Sequence, residues 1–282
     1  MEPMLDEVRL RVREKLPSME AVFDDYAGEA RFALSLLDAE IASLPKGARI
    51  MEIGAGMLLL SCFLQRSGYQ VTAIEPTGEG FSHFDALCQT VLDYASEEGF
   101  TPDLRIIPAE QLDYSAEFDF AFSINVMEHV GNVSLVLHQV LIALKPGCGY
   151  RFLCPNYLFP YEPHFNMPTL FSKSLTERVF GRWIFTSSKV LDPTGTWASL
   201  NWISVVSVQH ICVNECGVFP DFDRLVFYRF VMRALNDQAF QRRRGFLINS
   251  ILTLLENMGA TNLLKRLPVI VQPVMYCLIV RI

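Results

Sequence analysis

Nowhere in the chain do about 18 apolar residues run unbroken, so a membrane-spanning helix is not expected. The N-terminus, MEPMLDEVRLRVREKLP, is charged throughout and has no apolar signal core. Positive charge is scarce. The formal net charge of -7 disfavours a nucleic-acid partner, because phosphate backbones are met by basic surfaces. Paired zinc-ligand spacings are lacking too: Cys212 and Cys216 can share a helix face, but no second Cys/His pair matches them. The seven cysteines are odd in number and sit mostly in apolar runs. That pattern suits free thiols in a reducing compartment, and a cytoplasmic protein is expected. One glycine is missing as well. In RIMEIGAGMLLLS, Leu59 stands where a dinucleotide fingerprint wants glycine, which argues against a nicotinamide oxidoreductase.

What the chain has is apolar bulk: 51% of its 282 residues are hydrophobic and 21 are Phe, ample for a large core. Apolar spacing predicts helices over 4–16 and 19–43, the second with Phe32, Leu36, Leu37 and Ile41 as an approximate stripe. RIMEIG then reads as a short buried strand and Met57–Ser67 as a helix. YQVTAIEP is a second strand stopped by Pro76. Residues 81–98 are helical, LRIIPA is a third strand and FDFAFSINV a fourth. NVSLVLHQVLIALKPG is a helix ended by Pro and Gly, and GYRFLCPN a fifth strand. This alternation indicates βαβ units and a mainly parallel sheet.

After Asn156 the rhythm changes, and 157–200 carries prolines and aromatics without a clear period. It returns with a helix in SLNWISVVSVQHICVNECG, a strand in VFPDFDRLV, a largely helical 228–266 and a closing strand in QPVMYCLIVRI. Arg242, Arg243 and Arg244 precede an apolar stretch; they are either a solvated helix face or part of a basic segment resting on a membrane surface.

Two acids draw the chemistry together. Glu52, Gly54 and Gly56 end the first strand, where open parallel sheets bind ligands and where bare backbone lets a ligand approach. Glu75 ends the second strand, placed to accept hydrogen bonds from both hydroxyls of a ribose. A ribose without a pyrophosphate fingerprint points to a nucleoside that carries something other than phosphate.

The order MEIGAGMLLLS, VTAIEP, AEQLDYSAEFDFAFSINVMEHV and ALKPGCGYRFLCPN resembles the class I S-adenosylmethionine-dependent methyltransferases over about residues 48–156. FDFAFSINVMEHV followed by LKPG resembles the small-molecule group that includes ubiquinone-type O-methyltransferases. The resemblance implies an α/β fold with a Rossmann-like sheet of seven strands, the last antiparallel, and helical cap insertions. It implies a single domain over 1–282: an N-terminal helical cap (1–43), a cofactor-binding core (44–156), an acceptor-side insertion (157–200), and 201–282 completing the sheet with a helical insertion at 228–266.

It also implies S-adenosyl-L-methionine as cofactor, with Glu52, Gly54, Ala55 and Gly56 along its methionine half and Glu75 on the ribose. Pro76 and Thr77 would flank the adenine, Ala109 and Glu110 would meet its edge, and Ser123 and Asn125 would lie under the sulfonium. Leu58 stands where many members have a third small residue. Phe23 and Tyr26 could close over the cofactor.

A hydroxyl acceptor benefits from a base, and histidine, with a pKa near neutrality, suits that work. His129, His164 and Glu162 are the candidates; the alternative is a structural role for His129 and a packing role for His164 in an aromatic loop. His83, His138 and His210 lie on predicted helices and read as structural. Glu128 and His129 with His164 would make a poor magnesium site, since magnesium prefers carboxylate and water oxygens, and no metal is expected. Among the aromatics between 157 and 202, Tyr157, Tyr161 and Phe165 are expected to touch the acceptor. The expected partner is a small, apolar or lipid-like acceptor, methylated at oxygen more readily than at nitrogen or carbon, with peripheral membrane contact through 228–266. The rival reading is a catalytically silent partner subunit of the same fold.

Overall fold

The computed structural model describes all residues except 77–84, 189, 191, 238–239, 242–251 and 255. Thr77, His83, the arginines at 242–244 and part of the 228–266 insertion therefore lie outside the described residues.

The described chain opens with helices α1 (Glu2–Lys15) and α2 (Glu20–Ser43). In α2, Phe23, Ala27, Ala30, Ala33 and Leu37 recur every three or four residues and are buried, which is the stripe a core-facing helix needs. α2 ends at Leu44, which is extended because the following Pro45 disfavours helical backbone. Next come β1 (Arg49–Ile53), α3 (Leu59–Arg66), β2 (Gln70–Ile74), α4 (Asp85–Glu97), β3 (Asp103–Arg105), β4 (Phe118–Ile124), α5 (Val133–Ala143) and β5 (Leu144–Pro155). Then follow β6 (Tyr161–Glu162), β7 (Met167–Pro168), α6 (Lys173–Phe185), α7 (Pro193–Ser199), α8 (Val205–His210), β8 (Asp221–Phe222), α9 (Val226–Asn236) and β9 (Val274–Val280).

The seven-stranded sheet runs β3-β2-β1-β4-β5-β9-β8, and β6 and β7 form a separate hairpin. β1 pairs in parallel with β2 on one side and β4 on the other, so strand order reverses between β1 and β4. A crevice at the carboxyl ends of these two strands is where such sheets bind ligands. Gly147 N–H donates to Arg281 O, and Asn156 N–H to Pro273 O, so β5 and β9 run antiparallel. β8 is antiparallel to β9 as well.

Three expectations shift. The helix before β5 stops at Ala143, not at the Pro-Gly, because Lys145 precedes a proline and is already strand. The strand expected over VFPDFDRLV shrinks to two residues, since Asp223 turns the chain by accepting from Leu225 N–H at 2.7 Å. The aperiodic 157–200 is not loop throughout: α6 is capped by Ser172 and α7 by Asp192. α6 buries only Thr176 and Ile184, too few apolar positions to leave a readable stripe.

The chain separates into two compact units. Unit 1 comprises Met1–Ile124, Leu135–Arg151 and Val280–Ile282; unit 2 comprises Asn125–Ser134 and Phe152–Ile279. α1 and α2 belong to the hydrophobic core of unit 1, together with β1, α3 and α4. Phe23 is wholly buried there, so its side chain belongs to the core and does not close over a ligand; Tyr26, on the same helix, is 39% exposed.

Candidate functional site: a nucleoside turn and a histidine cluster

In unit 1 the turn after β1 is built from backbone few residues tolerate. Gly54, Gly56 and Leu58 all have left-handed φ, at 70°, 52° and 64°. Gly54 and Gly56 can adopt it freely. Around Gly56 an added side chain would meet nothing within 4 Å, so the turn offers open space beside bare backbone. Leu58 pays the conformational strain and is compensated by burial in the core, where its side chain does not occupy that space.

Glu52 is buried, and its Oε2 accepts a 2.5 Å hydrogen bond from Ser61 Oγ. Burial, opposed by that bond and reinforced by the charge of Glu75, pushes its pKa up to about 8. Glu75 Oε2 accepts from Gly56 N–H at 2.7 Å, which ties the second acid to the glycine turn. Burial raises the Glu75 pKa, and the Gly56 bond partly offsets it. Ala55 is buried and Pro76 exposed. Ala109 and Glu110 form a tight turn between β3 and β4, with Ala109 buried.

Ser123, at the end of β4, is fully buried, and its hydroxyl lies 2.7 Å from Tyr150 Oη. Asn125 is exposed at a left-handed φ of 56°, its N–H donating to Leu153 O at 2.8 Å. The turn, the paired acids and the open space suit a ribose and an amino-acid tail. Glu75 offers the acceptor a ribose diol needs, and Glu52 a carboxylate for an ammonium group.

In unit 2 the candidate bases converge. His164 Nδ1 lies 2.6 Å from Glu162 Oε1, and Glu162 Oε2 accepts from Phe165 N–H at 2.7 Å. Tyr157 Oη also donates to Glu162 Oε1, at 3.3 Å. Burial alone would lower the His164 pKa, but the Glu162 carboxylate outweighs it and raises it. His129 Nδ1 lies 2.8 Å from Ser199 Oγ. Its ring meets His164 edge-on at 5.2 Å, and burial lowers its pKa to about 4, so it is neutral near pH 7.

The turn carrying Glu128 and His129 is clamped by Asn201. Its Nδ2 donates to Met127 O at 2.7 Å and Val130 O at 2.9 Å, and its backbone N–H to Glu128 O at 2.8 Å. Aromatic rings adjoin this cluster. Tyr157 stacks on Trp202 at 4.5 Å, and Trp197 meets Trp202 and Phe165 edge-on. Tyr157 and Phe165 are buried, and Tyr161 Oη donates to Asn166 Oδ1 at 2.7 Å. Trp202, at a φ of 62°, keeps a buried indole N–H without a partner.

Sequence reasoning gathers His129, His164 and Glu162 but misses their supports, Ser199 and Asn201. Neither residue type is distinctive, and both lie some 70 positions from the turn they hold. His138 lies on α5, and His210 closes α8 with Nδ1 2.9 Å from Asn214 Nδ2, consistent with structural roles.

Comparison with known proteins adds to this geometry. A methyltransferase-domain family model matches residues 26–170. An uncharacterised protein of Mycobacterium tuberculosis (strain ATCC 25618 / H37Rv) is 41% identical over 275 residues, covering 98% of this chain and 93% of its own. A ubiquinone biosynthesis O-methyltransferase of Paramagnetospirillum magneticum is 33% identical over 102 residues, 36% of this chain and 38% of that protein. Among solved structures, phosphoethanolamine N-methyltransferase 2 of Haemonchus contortus, in complex with S-adenosyl-L-methionine, aligns with a TM-score of 0.53 at 13% identity. That alignment covers 89% of this chain and 52% of that one, so this chain spans about half its length.

The chain belongs to the methyltransferase-domain family. It is a class I S-adenosylmethionine-dependent methyltransferase, and the turn in unit 1 fits that cofactor.

Proposed function

We propose that the protein transfers the methyl group to a hydroxyl of a small, apolar acceptor. The observation that carries this reading is the Glu162–His164–His129 cluster set among the aromatic rings of unit 2. An oxygen acceptor must shed a proton as it becomes the nucleophile, whereas an amine can release its proton to water. A half-buried histidine cluster beside stacked rings is the equipment the first case calls for. The partial relative named as an O-methyltransferase points the same way.

When bound, the cofactor supplies a sulfonium-activated methyl group. The chain's own work is then to bind, orient and move one proton. Glu75 would take the ribose hydroxyls, Glu52 would hold the methionine ammonium, and bare backbone at Gly54 and Gly56 would leave room for the tail. His129 and His164 handle the acceptor proton, Glu162 orients His164 through Nδ1, and Tyr157, Tyr161 and Phe165 shape the acceptor's apolar surroundings. Alignment of acceptor and methyl can contribute about 7 to 11 kcal/mol to such a step.

The free thiols support work in a reducing compartment such as the cytoplasm. No described helix is long and apolar enough to cross a membrane. Exposed Leu254, Met258 and Leu263, with Lys265 and Arg266 nearby in sequence, support a peripheral membrane role for the 228–266 insertion, testable by sedimentation with anionic vesicles.

The central test measures S-adenosylhomocysteine release with matched panels of apolar phenols, alcohols and amines. Turnover with hydroxyl compounds, reduced at least about tenfold by His164→Gln, supports the reading. Turnover with amines alone refutes it. No turnover with any acceptor by protein that binds the cofactor favours the partner-subunit rival.

A further inference from the structure

We infer that Glu128, His129 and His164 form a binding site for a divalent transition metal of the zinc class. The site holds a carboxylate that nothing else in the fold uses. Glu128 is wholly buried, and neither of its oxygens has a hydrogen-bond partner. An uncompensated buried carboxylate is costly, and structures rarely keep one without a use. Its backbone is held firmly by Asn201, so the orphan is fixed in place and not the by-product of a loose loop.

Two imidazoles share its surroundings. One ligand atom each from Glu128, His129 and His164 lies within 4.8 Å of the others. Ligands around a tetrahedral zinc sit on the order of 3.4 Å apart, so a small inward movement of three side chains closes the site.

The outer partners complete the pattern. Metal-bound histidines give their other ring nitrogen to a carboxylate, hydroxyl or carbonyl, which fixes the ring and its tautomer. Both histidines do this here: His164 Nδ1 is held by Glu162 and His129 Nδ1 by Ser199, which leaves Nε2 in each ring. Glu162 is itself fixed by Phe165 N–H and Tyr157 Oη. Magnesium wants an oxygen-rich set, which these three side chains do not offer. Two imidazoles and one carboxylate instead suit zinc, cobalt, manganese or iron.

Three protein ligands leave a position open, as catalytic sites of this class do. This role rests on the O-methyltransferase reading and would replace the direct base role of His129 and His164, since with both rings on a metal the open position would take the acceptor hydroxyl and lower its pKa. The proton leaves to solvent, the oxygen forms the bond to the methyl carbon, and the carbon–sulfur bond breaks with its electron pair going to sulfur.

The test uses the full chain, stripped with chelator and titrated with zinc, and with cobalt as a visible probe. The expected result is one tight equivalent per chain, a tetrahedral-type cobalt absorption band and a raised melting temperature. Glu128→Gln and His164→Gln should each weaken binding at least tenfold, while Ser199→Ala weakens it less. Glu128→Gln carries a second signature. It should raise the melting temperature of the metal-free protein, by removing the orphan carboxylate, yet abolish the gain on adding zinc. A Glu128 with no metal role gives the first effect without the second.

Absence of stoichiometric binding by folded protein overturns the site. So does binding that survives both ligand substitutions. Metal binding needs neither cofactor nor acceptor, so Glu75→Ala should leave it intact. Tight zinc binding by a chain that methylates only amines would keep the site and refute the O-methyltransferase reading.

Discussion

Glu52 in unit 1 and Glu128 in unit 2 are both buried acids whose pKa values burial drives upward, to about 8 and about 7. Their surroundings differ sharply. Glu52 has Ser61 as a donor and a neighbouring acid in Glu75. Glu128 has no donor from another residue, only the charge of His164, within 4.8 Å, and its own amide to ease it. The first arrangement belongs to a site that needs only its ligand. The second belongs to a site that is electrostatically unfinished until something positive arrives.

Four substitutions would break or sharpen that contrast. The largest effect should come from Phe165→Ala in unit 2, which empties a buried ring position against Trp197 and should cost about 3 to 5 kcal/mol of stability in chemical denaturation. Cofactor affinity measured in native buffer should change far less, because the cofactor turn lies in unit 1.

Glu75→Ala should do the reverse. Calorimetric titration with S-adenosylmethionine should lose about 2 to 3 kcal/mol, roughly 30- to 150-fold in affinity, while stability moves little. Undiminished binding would remove the ribose role from this residue. Asn201→Ala should cost about 2 kcal/mol, since two buried carbonyls lose their donor. Hydrogen exchange should locate the loosening at residues 127–130.

The remaining effect is a pH dependence, read as a slope. The Glu52 carboxyl titrates near 4.5 in the unfolded chain and near 8 in the folded one, so folding favours its protonated form. The stability this provides is fully present below about pH 4.5 and declines as pH rises through about 8. Melting temperatures of the ligand-free protein should therefore fall across that window, and Glu52→Gln should flatten the decline. An unchanged slope would mean that Glu52 is ionised in the fold.

The sequence makes unit 1 legible because its signals are local. A buried strand, two glycines and an acid lie within a few residues, and the second acid follows at the end of the next strand. Thr77 and the arginines at 242–244 lie outside the described residues and stay untried. In unit 2 the histidines and Glu162 are visible by residue type, yet what unites them is not. Ser199 and Asn201 look like ordinary loop and helix-end residues until the fold carries them to His129 and Glu128. The shortened strand at 221–222 and the early start of β5 were hidden differently, because Asp223 and Pro146 act through turn geometry and not through hydrophobic pattern.

The clamp by Asn201 also has a consequence in time. Chains are made from the N-terminus, and the turn at 127–130 leaves the ribosome long before the carboxamide that secures it. Until then the carboxylate and its neighbouring imidazole are held by local backbone alone. A nascent chain therefore carries its most exacting polar group in water while the next 71 residues are added, and buries it only when the segment around residue 201 folds back to seal it.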